Sequence, residues 1–585
     1  MRYCDLKYYF AERLVELYDW DSIDSYRVRS HNAFTLIQEL LEVTENWLKN
    51  NIKDFDRVIK CVSETLAAVK EDEVIDYSFY SKGLFVVDLE ELSKSDKNKN
   101  REQCLQTVYM LSRCVEMNEN SYLDALYYRI CQTIRCEEVI SDSDLKTEMD
   151  RLNGLTMALS CQLIYEGYSQ RHLYNNCLTM LENMDDFERV FSAFKETHQR
   201  LNEKKTYDIV FKVLGGNNQK VLTLDGFIDQ VPLAMLGNEV KNSVVNFCNT
   251  HGNWIFYRKR VEAHDSVTAI SKAKDIMDSE LDRAVLGYSM LEVKMNRMAL
   301  VVIDSPEGKY CMIRPVTVLD TYYADDADTA VRMKERIDRI LSNDHIAKDV
   351  EDRLKSALRH LRMGNTETDT GQKLVNYWVA LEFLFSSPKS SESTISRLET
   401  NLVNILSCSY VKRRMLFLNK KLKRYTAYRA DLPLWKNNNV TQIDALIKKQ
   451  KTLLMRHHLL QVKSHLYGHG DKAEDFVKAH RKHIQWQIYR IYRYRNQLIH
   501  EAAILPGLDN VIRCLHFYLV FVLDQMIGYF THSGLKTLNM DSFFYEYGQT
   551  WNKVSSILKA DGISAEERLL KLMDVPLYQD LVKSK

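Results

Sequence analysis

At 585 residues the chain is too long for a single hydrophobic core, so several domains are expected. A content of 45% hydrophobic and 27% charged residues is that of a folded, soluble protein, and with only 19 glycines and 7 prolines the chain has few helix breakers. Twelve scattered cysteines without a C-x-x-C pair exclude a disulfide framework and point to reduced thiols in a cytoplasmic protein.

The formal net charge is zero, but it is unevenly distributed. Residues 401–500 hold 21 Lys and Arg against 5 Asp and Glu, so the rest of the chain carries −16. Seven of the 16 histidines lie in the same hundred. Two arrangements account for such a block. It can bind a polyanion such as nucleic acid, or it can dock onto the chain's own acidic remainder.

In chain order, the opening MRYCDLKYYFAERLVELYDW is charged throughout and is no signal peptide. Residues 1–204 read as a helical region, with the 3.6 period clear in NAFTLIQELLEVTENWLKN and FDRVIKCVSETLAAVKE. Nothing in it carries recognisable chemistry. From Lys205 the pattern changes. TYDIVFKVLGG, GNWIFYRKRVEAHD, RMALVVID and YCMIRPVTVL are rich in β-branched and aromatic residues. A helix starting at Asp265 or Ser266 is expected between the second and third, which makes 205–330 a small α/β domain. Asp325, Asp326 and Asp328 read as a solvated helix start rather than a metal site.

A helical domain follows over 331–535, and short amphipathic helices form a tail over 536–585. DVEDRLKSALRHLRMG is expected to stop at Gly364, with GQKLVNYWVALEFLF as the next helix. His465 and His469 are four apart, with His457, His458, His480 and His483 nearby; with no cysteine to join them this suits a basic, flexible loop rather than a zinc site. The apolar run at 514–530 is interrupted by His516 and Asp524, so it is a buried helix and not a membrane span.

Two charges sit badly in these patterns. Steps of three and four from Ile484 give Ile488, Ile491, Arg495, Leu498 and Ala502, a core-facing stripe with one guanidinium in it. Glu382 lies in a helix that is apolar on nearly every side. A lone buried charge costs several kcal/mol, so each needs a partner or a polar cleft. The two either neutralise one another across packed helices or line a functional site. Asn496 and His500 are one turn apart on one face, where the amide can orient the imidazole near the helix end. Histidine, arginine and an amide suit RNA transesterification. A base takes the 2′-OH proton, an acid protonates the leaving 5′-oxygen, and a cation stabilises the phosphate.

The stretch RNQLIH resembles the R-x4-H motif of the HEPN superfamily. SALRHLRMG followed by NYWVALEFLF, and about a hundred residues later by IYRYRNQLIHEA, is similar to the Apea-like HEPN domain of bacterial defence proteins. The resemblance covers about 335–535. It implies a helical bundle that forms a homodimer around the motif and cleaves RNA with neither metal nor cofactor. Arg495 and His500 would then be catalytic, with Asn496 assisting and Glu382 organising the pocket. Ala502 stands where some relatives carry a tyrosine.

Arg490, Arg493 and Lys482 on the same helix are the candidate RNA contacts. The expected role is a cytoplasmic anti-phage, abortive-infection ribonuclease toxin, with no membrane partner. In that role the first 330 residues sense a phage-derived trigger or restrain the nuclease; otherwise they position substrate or build the oligomer. The alternative function is a non-catalytic module that binds RNA or a partner protein.

Overall fold

The apolar periods of the N-terminal region close into helices. The helices are α1 (Cys4–Tyr18), α2 (Ala33–Leu48), α3 (Phe55–Glu71), α4 (Lys82–Ser93), α5 (Arg101–Glu116), α6 (Glu119–Ile134) and α7 (Asp142–Tyr165). Asn32 caps α2 by accepting from the Thr35 amide at 2.8 Å, while the Thr35 hydroxyl accepts from the Asn32 amide at 3.1 Å. Two orphan donors are satisfied reciprocally. Phe34, Ile37, Leu40, Val43 and Trp47 form the buried face of α2, and Val58, Cys61, Val62 and Val69 form that of α3.

The computed structural model describes residues 4–19, 31–49, 55–75, 82–94, 101–116, 119–135, 142–199, 204–215, 221–236, 241–249, 254–284, 293–305, 308–316, 327–367, 369–386, 392–425, 440–468, 470–500, 508–532, 538–560 and 562–578. The fold is mainly α with one small antiparallel sheet. It divides into two compact units, Leu163–Leu319, and Met1–Gln162 together with Asp320–Lys585.

The first of these contains α8 (Gln170–Glu182), α9 (Phe187–Gln199), α10 (Asn242–Cys248) and α11 (Ser266–Ala284). Its strands are β1 (Lys205–Gly215), β2 (Phe227–Ile228), β3 (Ile255–Ala263), β4 (Val293–Ser305) and β5 (Gly308–Pro315), in the order β2-β3-β1-β4-β5. Four strands follow the expected segments, and the two-residue β2, too short to leave a pattern, is additional. Successive side chains alternate between faces. Ile209, Phe211 and Val213 pack with Ala269, Ile270 and Met277 of α11, whereas Val210 packs with Val231, Val244 and Phe247 on the other side. Asp265 starts α11, its carboxylate accepting from the amides of Val267 at 2.8 Å and Thr268 at 3.0 Å.

The second part of the larger unit comprises α12 (Ala327–Leu341), α13 (Lys348–Thr366), α14 (Thr370–Phe385), α15 (Thr394–Arg397), a π-helical turn (Leu398–Leu402), α16 (Val403–Cys408), α17 (Tyr410–Tyr425), α18 (Val440–Lys449), α19 (Leu453–Leu466), α20 (Gly470–His500), α21 (Leu508–His532), α22 (Met540–Lys559) and α23 (Ala565–Met573). Asp328 is exposed in the first turn of α12, while Asp325 and Asp326 lie outside the described residues.

Gly364 does not stop α13, which runs on to Thr366. Its role is close approach: a Cβ there would stand 2.4 Å from Cε1 of Tyr377, whose ring packs against the α13 backbone. α21 is long and apolar enough to cross a membrane, yet 94% of its most apolar window is buried among the other helices, including His516 and Asp524. α14 and α20 both pack against it.

Candidate active site

α20 carries the motif, and its apolar stripe seats it. Ile484, Ile488 and Ile491 are buried, each 1% exposed. Arg495 continues that stripe at its wet end, with 18% of its side chain exposed. Its Nη2 lies 3.6 Å from Oε2 of Glu382 on α14, and its Nη1 donates to Oδ1 of Asn496 at 3.1 Å. Among the described residues, the Arg495 Nε has no hydrogen-bond partner. One turn before Glu382, the buried Trp378 meets Tyr492 of α20 with ring centroids 5.6 Å apart.

The structure thus brings Arg495, Asn496 and Glu382 together. A 3.6 Å separation between partly exposed groups is a loose ion pair and not a hydrogen bond. The Arg495 Nε is buried, but the loosely engaged, partly exposed end of the guanidinium can take up a second anion. A phosphate oxygen fits that need, because the planar fork offers several N–H groups at once. His500 closes α20 one turn beyond Asn496. Its side chain lies outside the described residues, as does Ala502.

The candidate RNA contacts divide. Lys482 is exposed. Arg490 is 3% exposed and presents no donor to a polyanion. Its Nε donates to both oxygens of Glu39, at 2.8 and 3.1 Å, and its Nη2 to Glu39 at 2.8 Å and Glu64 at 2.7 Å. Arg493 also donates to Glu39, and Gln497 donates to Glu42 at 2.8 Å. Burial alone would raise the Glu39 carboxyl, but Arg490 and Arg493 hold it well below the usual carboxylate range. Glu64 is pushed up by burial, which its contact with Arg490 only partly offsets.

Glu39, Glu42 and Glu64 stand on α2 and α3, in the region whose sequence offered no chemistry. The charge asymmetry was the one signal that could have found them. Part of the basic block does dock onto the chain's own carboxylates. Around this contact, Arg57 of α3 lies 4.7 Å from the Tyr492 ring centroid, and Lys60 lies 3.7 Å from that of Tyr489. Lys60 also bridges to Glu399 at 2.8 Å, which accepts from the Tyr489 hydroxyl.

No protein-family model, curated protein or solved structure matches the chain.

The histidines around 457 belong to no flexible loop. α19 holds His457 and His458 in the interior, and each finds a partner from the N-terminal helices. His457 accepts at Nδ1 from the Tyr9 hydroxyl at 2.8 Å and donates from Nε2 to Asp150 at 2.8 Å, a pattern that fits a neutral ring. His458 Nε2 meets Glu16 at 2.9 Å, and Arg13 pairs with the same carboxylate at 2.6 Å. His465 stacks on Phe476, and His469 lies outside the described residues. Among the described residues, no group of three or more His, Cys, Asp or Glu side chains is arranged to hold a metal ion.

Proposed function

We propose that the chain is a HEPN-type endoribonuclease that cleaves RNA by attack of the ribose 2′-OH and requires no metal. The observation that carries this reading is Arg495, a partly exposed guanidinium at the end of a core stripe, loosely paired to Glu382 and bonded to Asn496. A group so placed can neutralise the charge that grows on a phosphate in the transition state. His500, one turn from Asn496 in the chain, supplies general acid–base chemistry. A second copy of the chain brings the second histidine, so the acting species is a homodimer. Phe383, next after Glu382 on α14, and Ile499, next after Leu498 on α20, are exposed apolar side chains of the kind a second copy would cover. The proposed setting is anti-phage defence by abortive infection, with a phage product as trigger.

RNA incubated with the full-length protein and EDTA is expected to yield 2′,3′-cyclic phosphate and 5′-OH ends. Cleavage that stops on chelation, or products with 3′-OH ends, would sink the mechanism. His500→Ala and Arg495→Ala are expected to abolish cleavage with the fold intact. A module that only binds RNA or a partner protein would instead leave RNA whole in every variant.

A further inference from the structure

Among the contacts that hold α20, two charged sets lie on nearly opposite sides of it. Arg495 faces Glu382 on α14. Arg490, Arg493 and Gln497 face Glu39, Glu64 and Glu42 on α2 and α3. At 100° per residue, the second set lies about 140–160° around the helix from Arg495. Apolar contacts are non-directional, so a helix seated only by its isoleucine stripe can roll about its axis. A helix held by charge-assisted hydrogen bonds on one side and by an ion pair on the other cannot roll without breaking one of them. Glu39 meets Arg490 and Arg493, and Glu42, one turn on, meets Gln497. α2 therefore rides along α20 towards the end that carries Arg495 and His500.

The rival interpretation is that Glu39 is a plug, a carboxylate occupying arginines that would otherwise take RNA. Burial decides against it. Arg490 is buried, Glu39 is 7% exposed, and the Arg57–Tyr492 and Lys60–Tyr489 stacks lie beside them. A phosphate could reach Arg490 only by parting packed helices. The grip is a fixture of the fold.

We propose that Glu39, assisted by Glu64 and Glu42, is a positioning residue that acts through Arg490 and Arg493 to fix the roll of α20. It thereby sets where Arg495, Asn496 and His500 stand relative to the scissile phosphate. This inference rests on the ribonuclease reading. It makes the N-terminal helices a working part of the site.

The test uses the full-length chain in single-turnover cleavage at saturating RNA, with RNA affinity measured separately. Glu39→Gln keeps the side chain's shape and removes its charge. The cleavage rate is expected to fall about 100-fold, the scale of a small misplacement of reacting groups, with the dissociation constant for RNA within about twofold of wild type. Glu39→Asp, which retains the charge, recovers part of the rate. Should Glu39→Gln fail to fold, exposed Glu42 carries the test. Glu42→Ala removes the acceptor for Gln497 and lowers the saturating rate a few fold at unchanged affinity.

A wild-type rate in folded Glu39→Gln, or in Glu42→Ala where the first variant does not fold, overturns the positioning role. So does a faster rate with tighter RNA binding, the signature of a plug. A wild-type protein that leaves RNA intact overturns the ribonuclease reading and this inference with it.

Discussion

Arg495 and Glu382 meet across α20 and α14 at 3.6 Å, with 18% and 29% of their side chains exposed. Ion pairs of this kind contribute less than about 1 kcal/mol to stability. Glu382→Gln and Arg495→Gln are each expected to lower the unfolding free energy in urea by no more than about that amount. On the ribonuclease reading, Arg495→Gln should slow RNA cleavage by about 100-fold or more, because it removes a cation aimed at developing charge. A loss of several kcal/mol of stability would mark the pair as structural.

Arg490 behaves in the opposite way. It is buried between two carboxylates, and removing it leaves Glu64 without its cation and Glu39 with Arg493 alone. Breaking a buried ion pair by deleting one partner costs about 3–5 kcal/mol. Arg490→Met should lose stability on that scale in urea unfolding. A variant as stable as wild type would show that the grip on α20 does little work.

Stability should also depend on pH through His457. Burial pushes its imidazole from 6.5 down to about 4. Between those values the unfolded chain binds a proton that the folded chain refuses. Stability present above pH 6.5 is therefore lost as the pH falls towards 4, by up to about 3 kcal/mol. His458, also lowered by burial, acts with the same sign. Urea midpoints at pH 7, 6 and 5 should fall more steeply for wild type than for His457→Asn. Coinciding slopes would show that His457 takes up its proton in the folded state.

Gly364 gives a prediction whose sign separates two roles. If it merely weakened α13, alanine would stabilise the helix by about 1 kcal/mol. With the Tyr377 ring 2.4 Å from where a Cβ would stand, Gly364→Ala is expected to destabilise by about 1–3 kcal/mol in thermal or urea unfolding. A more stable variant would refute the close-packing role.

The sequence by itself determined the local features. The isoleucine spacing made α20 a helix and marked Arg495 as the residue out of place in its stripe. β-branched runs from Lys205 onward became strands, and Asp265 ended as the cap of α11. These follow from backbone periodicity and short-range hydrogen bonding, which a chain carries within a few residues.

Pairings across the chain were decided only by the tertiary structure. Periodicity says that a side chain faces inward, but not which side chain it meets there. Arg490 looked like an RNA contact until Glu39, 451 residues away, proved to hold it. His457 and His458 sit among lysines in the sequence, a pattern that suits a loop, yet burial against Tyr9, Asp150 and Glu16 makes them interior residues. Gly364 looked like a stop and is a contact point, because only the packed ring of Tyr377 shows why a Cβ is excluded. The uneven charge left two arrangements open. Folding brings carboxylates of α2 and α3 onto α20, where they offset the cost of burying Arg490.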